Sequence, residues 1–242
     1  MSRPPLCVDL RKWFLRLAVS FALCACSLGL AQEVKIPPTG PTEGNPSKIH
    51  GLEAGVRAGY GFGLINPEGY TDPEGYNDHL YRINNLIPFW ADLGYRIHPN
   101  WYVGAFFQFG IARGMEGCKG YTAPQQIPKC SGDDLRFGLN VHYHVAPDRG
   151  LDPWIGIGAG YEITHWKMTF PSDTFSGEFS GVEFVNLQLG VDYRVWRAFA
   201  VGPFLTFTLA QYSNQFAEFI GYHGLHGWLI LGVRGVFNLI VD

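Results

Sequence analysis

The sequence predicts an all-β protein: an eight-stranded antiparallel up-and-down transmembrane β-barrel with a polar, glycine-rich lumen. Three observations support this. From residue 51 onward, apolar and polar residues alternate with a period of two, as in strands whose two faces meet different surroundings. The connections between the alternating segments are short and long in turn. The chain of 242 residues holds 31 glycines and 15% aromatic residues but only 16% charged residues, against about 25% in soluble proteins.

The N-terminus predicts export. Residues 1–31 are interpreted as a signal peptide, because basic side chains such as Arg16 precede an apolar run and Ala31 stands before the expected cleavage site. The apolar run has roughly 14 residues, fewer than the ~20 of a membrane-spanning helix. The segment around Cys26 loosely resembles a lipoprotein processing site, so lipidation of Cys26 is an alternative. Residues 32–50, rich in proline and glycine, predict a flexible periplasmic leader, and residues 51–242 form the barrel.

Eight segments show the strand alternation. They are residues 51–64, 87–97, 101–112, 135–145, 154–164, 182–195, 199–211 and 228–239. The predicted short connections are 98–100, 146–153 and 196–198, and the predicted long ones are 65–86, 113–134, 165–181 and 212–227. With both ends of the barrel on the short-turn side, that side is expected to be periplasmic and the four long loops to face outward.

The composition of the two faces indicates which one meets lipid. Alternation alone also fits a soluble barrel with an aromatic core. Here, however, the polar face is dominated by glycine, which suits a crowded interior. The apolar face carries rings at the strand ends, with Tyr95 and Trp101 toward the short turns and Phe89 and Phe109 toward the long loops. Such rings are typical of a membrane-interface girdle, so we expect the apolar face to point outward.

Strand parity predicts a lumen with ions of both signs. The residues placed inside are Glu53, Arg57, Asp92, Arg96, Arg136, Glu162, Asp192, Arg194 and Arg234. Ions in a narrow tube are costly unless they are paired and hydrogen-bonded, so their near balance predicts a polar network that closes the lumen. A selective pore would more naturally show a ring of one sign. A narrow or gated solute channel is the alternative.

Two sequence segments support the barrel interpretation. They are Leu-Gly-Tyr-Arg-Ile-His-Pro-Asn-Trp at residues 93–101 and Trp-Ile-Gly-Ile-Gly-Ala-Gly-Tyr at residues 154–161. With the alternation and the loop asymmetry, the chain resembles the small eight-stranded outer-membrane barrels of the OmpA/OmpX/OmpW-like group. The resemblance implies a bacterial outer-membrane location, contact with outer-membrane lipid and insertion by the outer-membrane assembly machinery. It also implies a porin-like monomer that displays loops at the cell surface, in a structural role or to bind an extracellular ligand.

Two cysteines remain once the signal peptide is removed. Cys118 and Cys130 both fall in or beside the second long loop. In an exported chain two such cysteines most simply pair, so we predict a disulfide between them. No further pair of ligands nearby completes a zinc site.

The sequence carries no recognisable catalytic, metal-binding or cofactor motif, so an enzyme is not expected and no cofactor is predicted. Two weaker hypotheses stay open. His165, Ser180 and Glu183 could assemble a lipid-modifying site near the loops, and His142 and His144 share one strand face where they could bind a metal. Membership of the polar network explains the two histidines more simply. A formal charge of −3 predicts no basic patch, which argues against nucleic acid as the main partner.

Overall fold

The computed structural model describes residues 51–65, 83–115, 128–196, 198–213 and 224–240. The predicted signal peptide, the leader, Cys26 and Cys118 lie outside the described residues. Eight strands fill the described part: β1 (Gly51–Ile65), β2 (Ile83–His98), β3 (Trp101–Met115), β4 (Lys129–His144), β5 (Leu151–Thr169), β6 (Thr174–Trp196), β7 (Phe199–Tyr212) and β8 (Leu225–Ile240).

Each strand pairs antiparallel with its sequence neighbours, and β1 pairs with β8 to close the barrel. The closing register runs from Gly51 opposite Ile240 to Ile65 opposite Gly227. Closure leaves no free sheet edge along the paired length, which a hydrocarbon environment requires of β-structure. Among the described residues, no helix is long and apolar enough to cross a membrane.

The apolar face of the barrel points outward, as the composition predicted. Leu93 and Phe107 are 57% and 49% exposed on the outer wall, whereas Arg96 and Asp192 are 3% and 4% exposed in the lumen. A soluble barrel would show the opposite arrangement, because its apolar residues would converge inside. The outer wall therefore forms the apolar belt of a transmembrane barrel.

Glycines of the inner face make room for large rings. A Cβ added to Gly190 would lie 2.7 Å from the indole of Trp154, and one added to Gly160 would lie 3.1 Å from the ring of Phe106. Trp154 is 1% exposed and Phe106 is 4% exposed. The glycines predicted to line the lumen thus leave the inner surface without side chains at these positions, so that large interior side chains can pack against the backbone.

The third long connection was predicted over residues 165–181, and this prediction is wrong. Strands β5 and β6 continue through that segment and meet in a four-residue turn, where the amide of Phe170 donates to the carbonyl of Asp173 at 2.7 Å. The polarity of the two faces is exchanged there. The apolar Trp166 is buried inside, whereas the polar His165 and Lys167 are exposed outside. Because the outer face meets water beyond the apolar belt, the pattern becomes that of a soluble sheet, and a search for apolar residues outside misses it.

We expect Gly190→Ala to lower the stability of the barrel. The new methyl group would overlap the Trp154 ring and approach the backbone carbonyl oxygen of Pro203 at 2.8 Å. Overpacking of this kind costs about 1–3 kcal/mol. The measurement is the urea midpoint of unfolding in lipid or detergent. Gly150→Ala is the matched control, since nothing lies within 4 Å of its added Cβ, and equal midpoints for the two variants would contradict the packing role.

Candidate functional site: the polar network of the lumen

The lumen holds three groups of polar side chains, which we name by their position between the short turns and the long connections. The turn-end cluster is Glu53, Arg96, His144, Asp152 and Arg234. The central cluster is Arg57, Asp92, Asn140, His142 and Gln188. The loop-end cluster is Asp134, Arg136, Glu162, Glu183 and His226. All fifteen are buried.

The turn-end cluster is built on Glu53. Its Oε2 accepts from Nε of Arg96 at 2.9 Å, and its Oε1 accepts from Arg234 at 2.9 Å. His144 lies between Asp152 and Arg96, at 2.7 Å and 3.2 Å. Since a guanidinium can only donate, Nε2 of His144 accepts from Arg96 and Nδ1 donates to Asp152. The contacts therefore determine a neutral His144 with its proton on Nδ1.

The central cluster is built on a bidentate ion pair. Nε and an amino group of Arg57 donate to the two oxygens of Asp92 at 2.6 Å and 2.8 Å, and its other amino group donates to Gln188 at 2.6 Å. Asn140 donates to Asp92, and Nε2 of His142 lies 3.1 Å from the amide oxygen of Gln188. Both charges of the ion pair are compensated, as buried charges must be.

The loop-end cluster has three carboxylates around one guanidinium. Arg136 donates to Asp134 at 2.8 Å and to Glu162 and Glu183 at 3.1 Å each. Nε2 of His226 lies 2.9 Å from the second oxygen of Glu162. This cluster is richer in acid than the other two.

The three clusters form one continuous chain of contacts. Arg234 approaches Nδ1 of His142 at 3.5 Å, which joins the turn end to the centre. Gln188 donates to Asn186 at 3.0 Å, and Asn186 donates to Glu183 at 2.8 Å, which joins the centre to the loop end. Polar contacts thus cross the lumen from Asp152 to His226.

Aromatic rings fill the space beside this network. Arg57 lies 5.6–5.7 Å from the ring centroids of Trp90, Trp154 and Phe204, and Arg234 lies 4.4 Å from that of Trp154. Ring faces attract cations, so these contacts add to the ion pairs. At the loop end, an apolar cap of Trp166, Met168, Phe179 and Tyr212 is buried in the same hydrophobic cluster.

The structure brings most of the predicted lumen residues into the hydrogen-bonded network, whereas Asp192 and Arg194 make their hydrogen bonds to other groups. Asp192 is buried and accepts from the indole nitrogen of Trp154 at 3.2 Å. Arg194 is only half-buried, and it donates to the backbone carbonyl of Pro147 in a short turn. Neither of these two contacts is an ion pair.

Sequence reasoning missed several members of the network. Asp134 continues the parity of Arg136 toward the loop, but it was assigned to the connection before the strand. Glu183 faces inward because the register shifts between Glu183 and Val185, which leaves Val182 and Phe184 both outside. No feature of the sequence predicts this bulge, whereas simple parity would have found Asp134 and His226.

The histidine hypotheses have separate outcomes. The rings of His142 and His144 engage different partners, Gln188 and Asp152, rather than a common point. In the described part of the chain, no group of three or more His, Cys, Asp or Glu side chains could hold a metal ion.

The lipid-modifying arrangement is not assembled. Both ring nitrogens of His165 lie against carboxylates, Asp133 at 2.8 Å and Glu178 at 3.1 Å. The hydroxyl of Ser180 accepts from Tyr161 at 3.1 Å. Glu183 points into the lumen. The weaker hypothesis that these three side chains assemble one site is therefore not supported.

We expect Arg96→Ala to destabilise the barrel strongly. The substitution leaves Glu53 with Arg234 as its remaining cation and removes the donor to Nε2 of His144. Breaking a buried ion pair from one side costs about 3–5 kcal/mol. The measurement is the free energy of unfolding in urea. Arg149→Ala, an exposed side chain at the same end, should change it by less than about 0.5 kcal/mol. An unchanged value for Arg96→Ala would contradict the network's structural role.

His165 lies beyond the apolar belt, where its side chain is exposed on the outer face of β5. Its hydrogen bond with Asp133 raises the pKa of the imidazole above its ordinary value, and Glu178 adds to the shift. The protonated form therefore stabilises the β4–β5–β6 surface at low pH, and this contribution is lost as the pH rises through the raised pKa. NMR titration of His165 should show the raised value in the wild type and a lower one in Asp133→Asn. Asp173→Asn, in the adjoining turn, should leave it unchanged; a pKa insensitive to Asp133 would refute the assignment.

No family model matches the sequence, and no curated protein is similar to it. Solved structures are similar to it at low identity. Neisserial surface protein A is 12% identical, with 80% of this chain and 99% of that chain covered and a TM-score of 0.41. Ail, the attachment invasion locus protein of Yersinia pestis, is 14% identical, with 76% and 98% covered and a TM-score of 0.40. The outer membrane protein AlkL is 13% identical, with 86% and 99% covered and a TM-score of 0.43.

Of these three, AlkL is an outer membrane protein whose structure was determined in lipid bilayers. The strand order, the closure and the outward apolar wall come from this chain itself. By these features the protein has the fold of the small eight-stranded outer-membrane β-barrels.

Proposed function

We propose that this protein is a bacterial outer-membrane barrel with a closed lumen, which acts as a structural or surface-interaction protein. The observation that carries the proposal is the continuous polar network from Asp152 to His226. A pore needs a continuous water path, and here side chains of the barrel itself occupy the lumen.

The guanidinium groups are held too firmly to serve as a selectivity ring. All three nitrogens of Arg57 donate to side-chain acceptors, and so do all three of Arg136. An ion entering the lumen would have to replace these bonds at the cost of unpaired buried charges. The density of paired charges and rings therefore supports the closed form.

The location rests on the outer wall and on the N-terminal pattern. The exposed apolar belt requires a bilayer, and residues 1–31 supply the predicted export signal. Since no free sheet edge remains along the paired strands, a monomer satisfies the backbone. We further propose that the outer-membrane assembly machinery inserts the barrel, with outer-membrane lipid around it and residues 32–50 in the periplasm.

The loop end is proposed to face the cell exterior. It carries the three longer connections after β1, β3 and β7, together with the extended β5–β6 hairpin. Cys130 packs beside the apolar cluster in β4. Its disulfide with Cys118 stays a prediction, and it would hold the second connection against the barrel. Loops carried by a rigid scaffold suit recognition, so an extracellular ligand would bind there.

The channel alternative has one observation in its favour. A pocket opens near the short turns, lined by Arg96, Arg149, Asp152, Asp192, Arg194, Ala200, Val236 and Asn238. A gated channel could use this pocket as its inner vestibule, but the central cluster lies beyond it.

Conductance in planar bilayers separates the two functions. We expect no ion-conducting steps from the wild-type barrel, because the network blocks the lumen. Arg136→Ala removes the guanidinium that joins β4 to β5, β6 and β7, and it should produce small, flickering openings. Lys167→Ala, on the exposed outer face, is the matched control and should stay silent. Regular wild-type openings that Arg136→Ala leaves unaltered would overturn the closed-lumen proposal in favour of a channel.

A further inference from the structure

The loop-end cluster has an unequal number of opposite charges. Arg136 is in contact with three carboxylates, Asp134, Glu162 and Glu183, and all four side chains are no more than 1% exposed. His226 adds one further positive charge only if it is protonated. An isolated buried carboxylate is strongly unfavourable, so the excess negative charge requires compensation.

A neighbouring side chain, Gln108, has a buried acceptor for which the cluster, with all its carboxylates ionised, provides no hydrogen-bond donor. Gln108 is fully buried, and its amide nitrogen donates to Asp134 at 3.0 Å. Its amide oxygen, buried in the same place, has no hydrogen-bond partner. This acceptor belongs to a side chain that already contacts Asp134 and it lacks a donor, which an O–H group in the cluster would supply.

The side chains around the cluster show which groups could balance its excess negative charge. The charged or polar side chains that face it are Gln108 from β3, Thr164 from β5, Asn186 from β6, Thr208 and Tyr212 from β7, and His226 from β8. From β1 and β2, Arg57 and Asp92 are paired with each other in the central cluster. No further cation reaches the three carboxylates among the described residues.

We propose that the loop-end cluster binds one proton in the folded barrel at neutral pH, held on Asp134 or Glu183. Glu162 is the carboxylate best suited to remain ionised, because it contacts both Arg136 and His226. Asp134 and Glu183 share the guanidinium with it and have only neutral donors besides. The loop-end cluster is then a titratable group in a lumen whose other two clusters have paired charges.

The bound proton makes the packing of the aromatic rings at the loop end depend on pH. The Tyr212 ring of the apolar cap stacks on His226 with centroids 4.0 Å apart, and Trp228 lies 5.6 Å from the Arg136 guanidinium. Release of the proton leaves all three carboxylates ionised around the one guanidinium, so that they repel each other beneath these rings. The folded barrel binds one proton more than the unfolded chain, so its stability falls as the pH rises above the ordinary carboxyl range.

Infrared spectroscopy of the folded, full-length barrel tests the proton directly. We expect a carboxylic-acid C=O stretching band at neutral pH that is lost or shifted in Asp134→Asn or in Glu183→Gln. Asp92→Asn is the matched control, since it replaces a buried lumen carboxylate that has its own arginine, and it should leave the band intact. Absence of such a band in the wild type overturns the proposal.

Unfolding as a function of pH gives an independent measurement. One bound proton changes the unfolding equilibrium constant tenfold per pH unit between the carboxyl pKa of the unfolded chain and that of the folded cluster. Glu183→Gln or Asp134→Asn should remove this slope without loss of stability at neutral pH, whereas Asp92→Asn should destabilise at every pH. His226→Gln should retain the slope. If the slope disappears only in His226→Gln, or is unchanged in both acid variants, the carboxyl proton is refuted. Stability that depends on Na⁺ or K⁺ instead would also refute it, because a cation would then supply the charge.

Discussion

The structure depends on the pairing of charges inside a tube too narrow for water to solvate them. A closed barrel of eight strands leaves room only for side chains in its interior. Most charges placed there are paired across strands, as Glu53 is with Arg96 and Arg234. The pairing therefore contributes to register and rigidity as well as to charge balance, because one slipped strand would separate several partners.

The membrane imposes a second constraint, which acts on the outer face alone. Along the apolar belt, residues such as Leu139 and Ile157 are largely exposed on the outer wall. Beyond the belt, at the loop end, the polarity of the two faces is exchanged: Trp166 and Met168 are buried and Lys167 is exposed. One continuous strand, β5, carries both patterns. The exchange occurs where the surroundings of the outer wall change from hydrocarbon to water.

The glycines connect these two constraints. An inner wall without side chains at positions such as Gly160 and Gly190 lets Phe106 and Trp154 lie flat inside. Those rings then exclude water from the ion pairs, and the faces of Trp90 and Trp154 contact the guanidinium of Arg57. Glycine content, ring content and low charge, which look like separate features of the composition, are thus parts of one packing arrangement.

Much of the fold could be predicted because it depends on local periodicity. The number of strands and the face carrying Arg57 or Leu93 follow from alternation, which each strand shows within its own residues. The strand ends beyond the belt could not be predicted from the same rule, and neither could the inward turn of Glu183. The rule assumes lipid outside and an unbroken register, and each assumption fails at one of those places.

Within the apolar belt, and apart from the bulge at Glu183, the sequence by itself determined which side chains point outward and which line the lumen, because a period of two sorts side chains without reference to any other strand. Only the tertiary structure decided which charge pairs with which. The Arg234–Glu53 bond joins residues 181 positions apart, and Arg136 collects acids from its own strand and from two others. Such partners are selected by register and barrel closure, and those are properties of the assembled sheet rather than of any single segment.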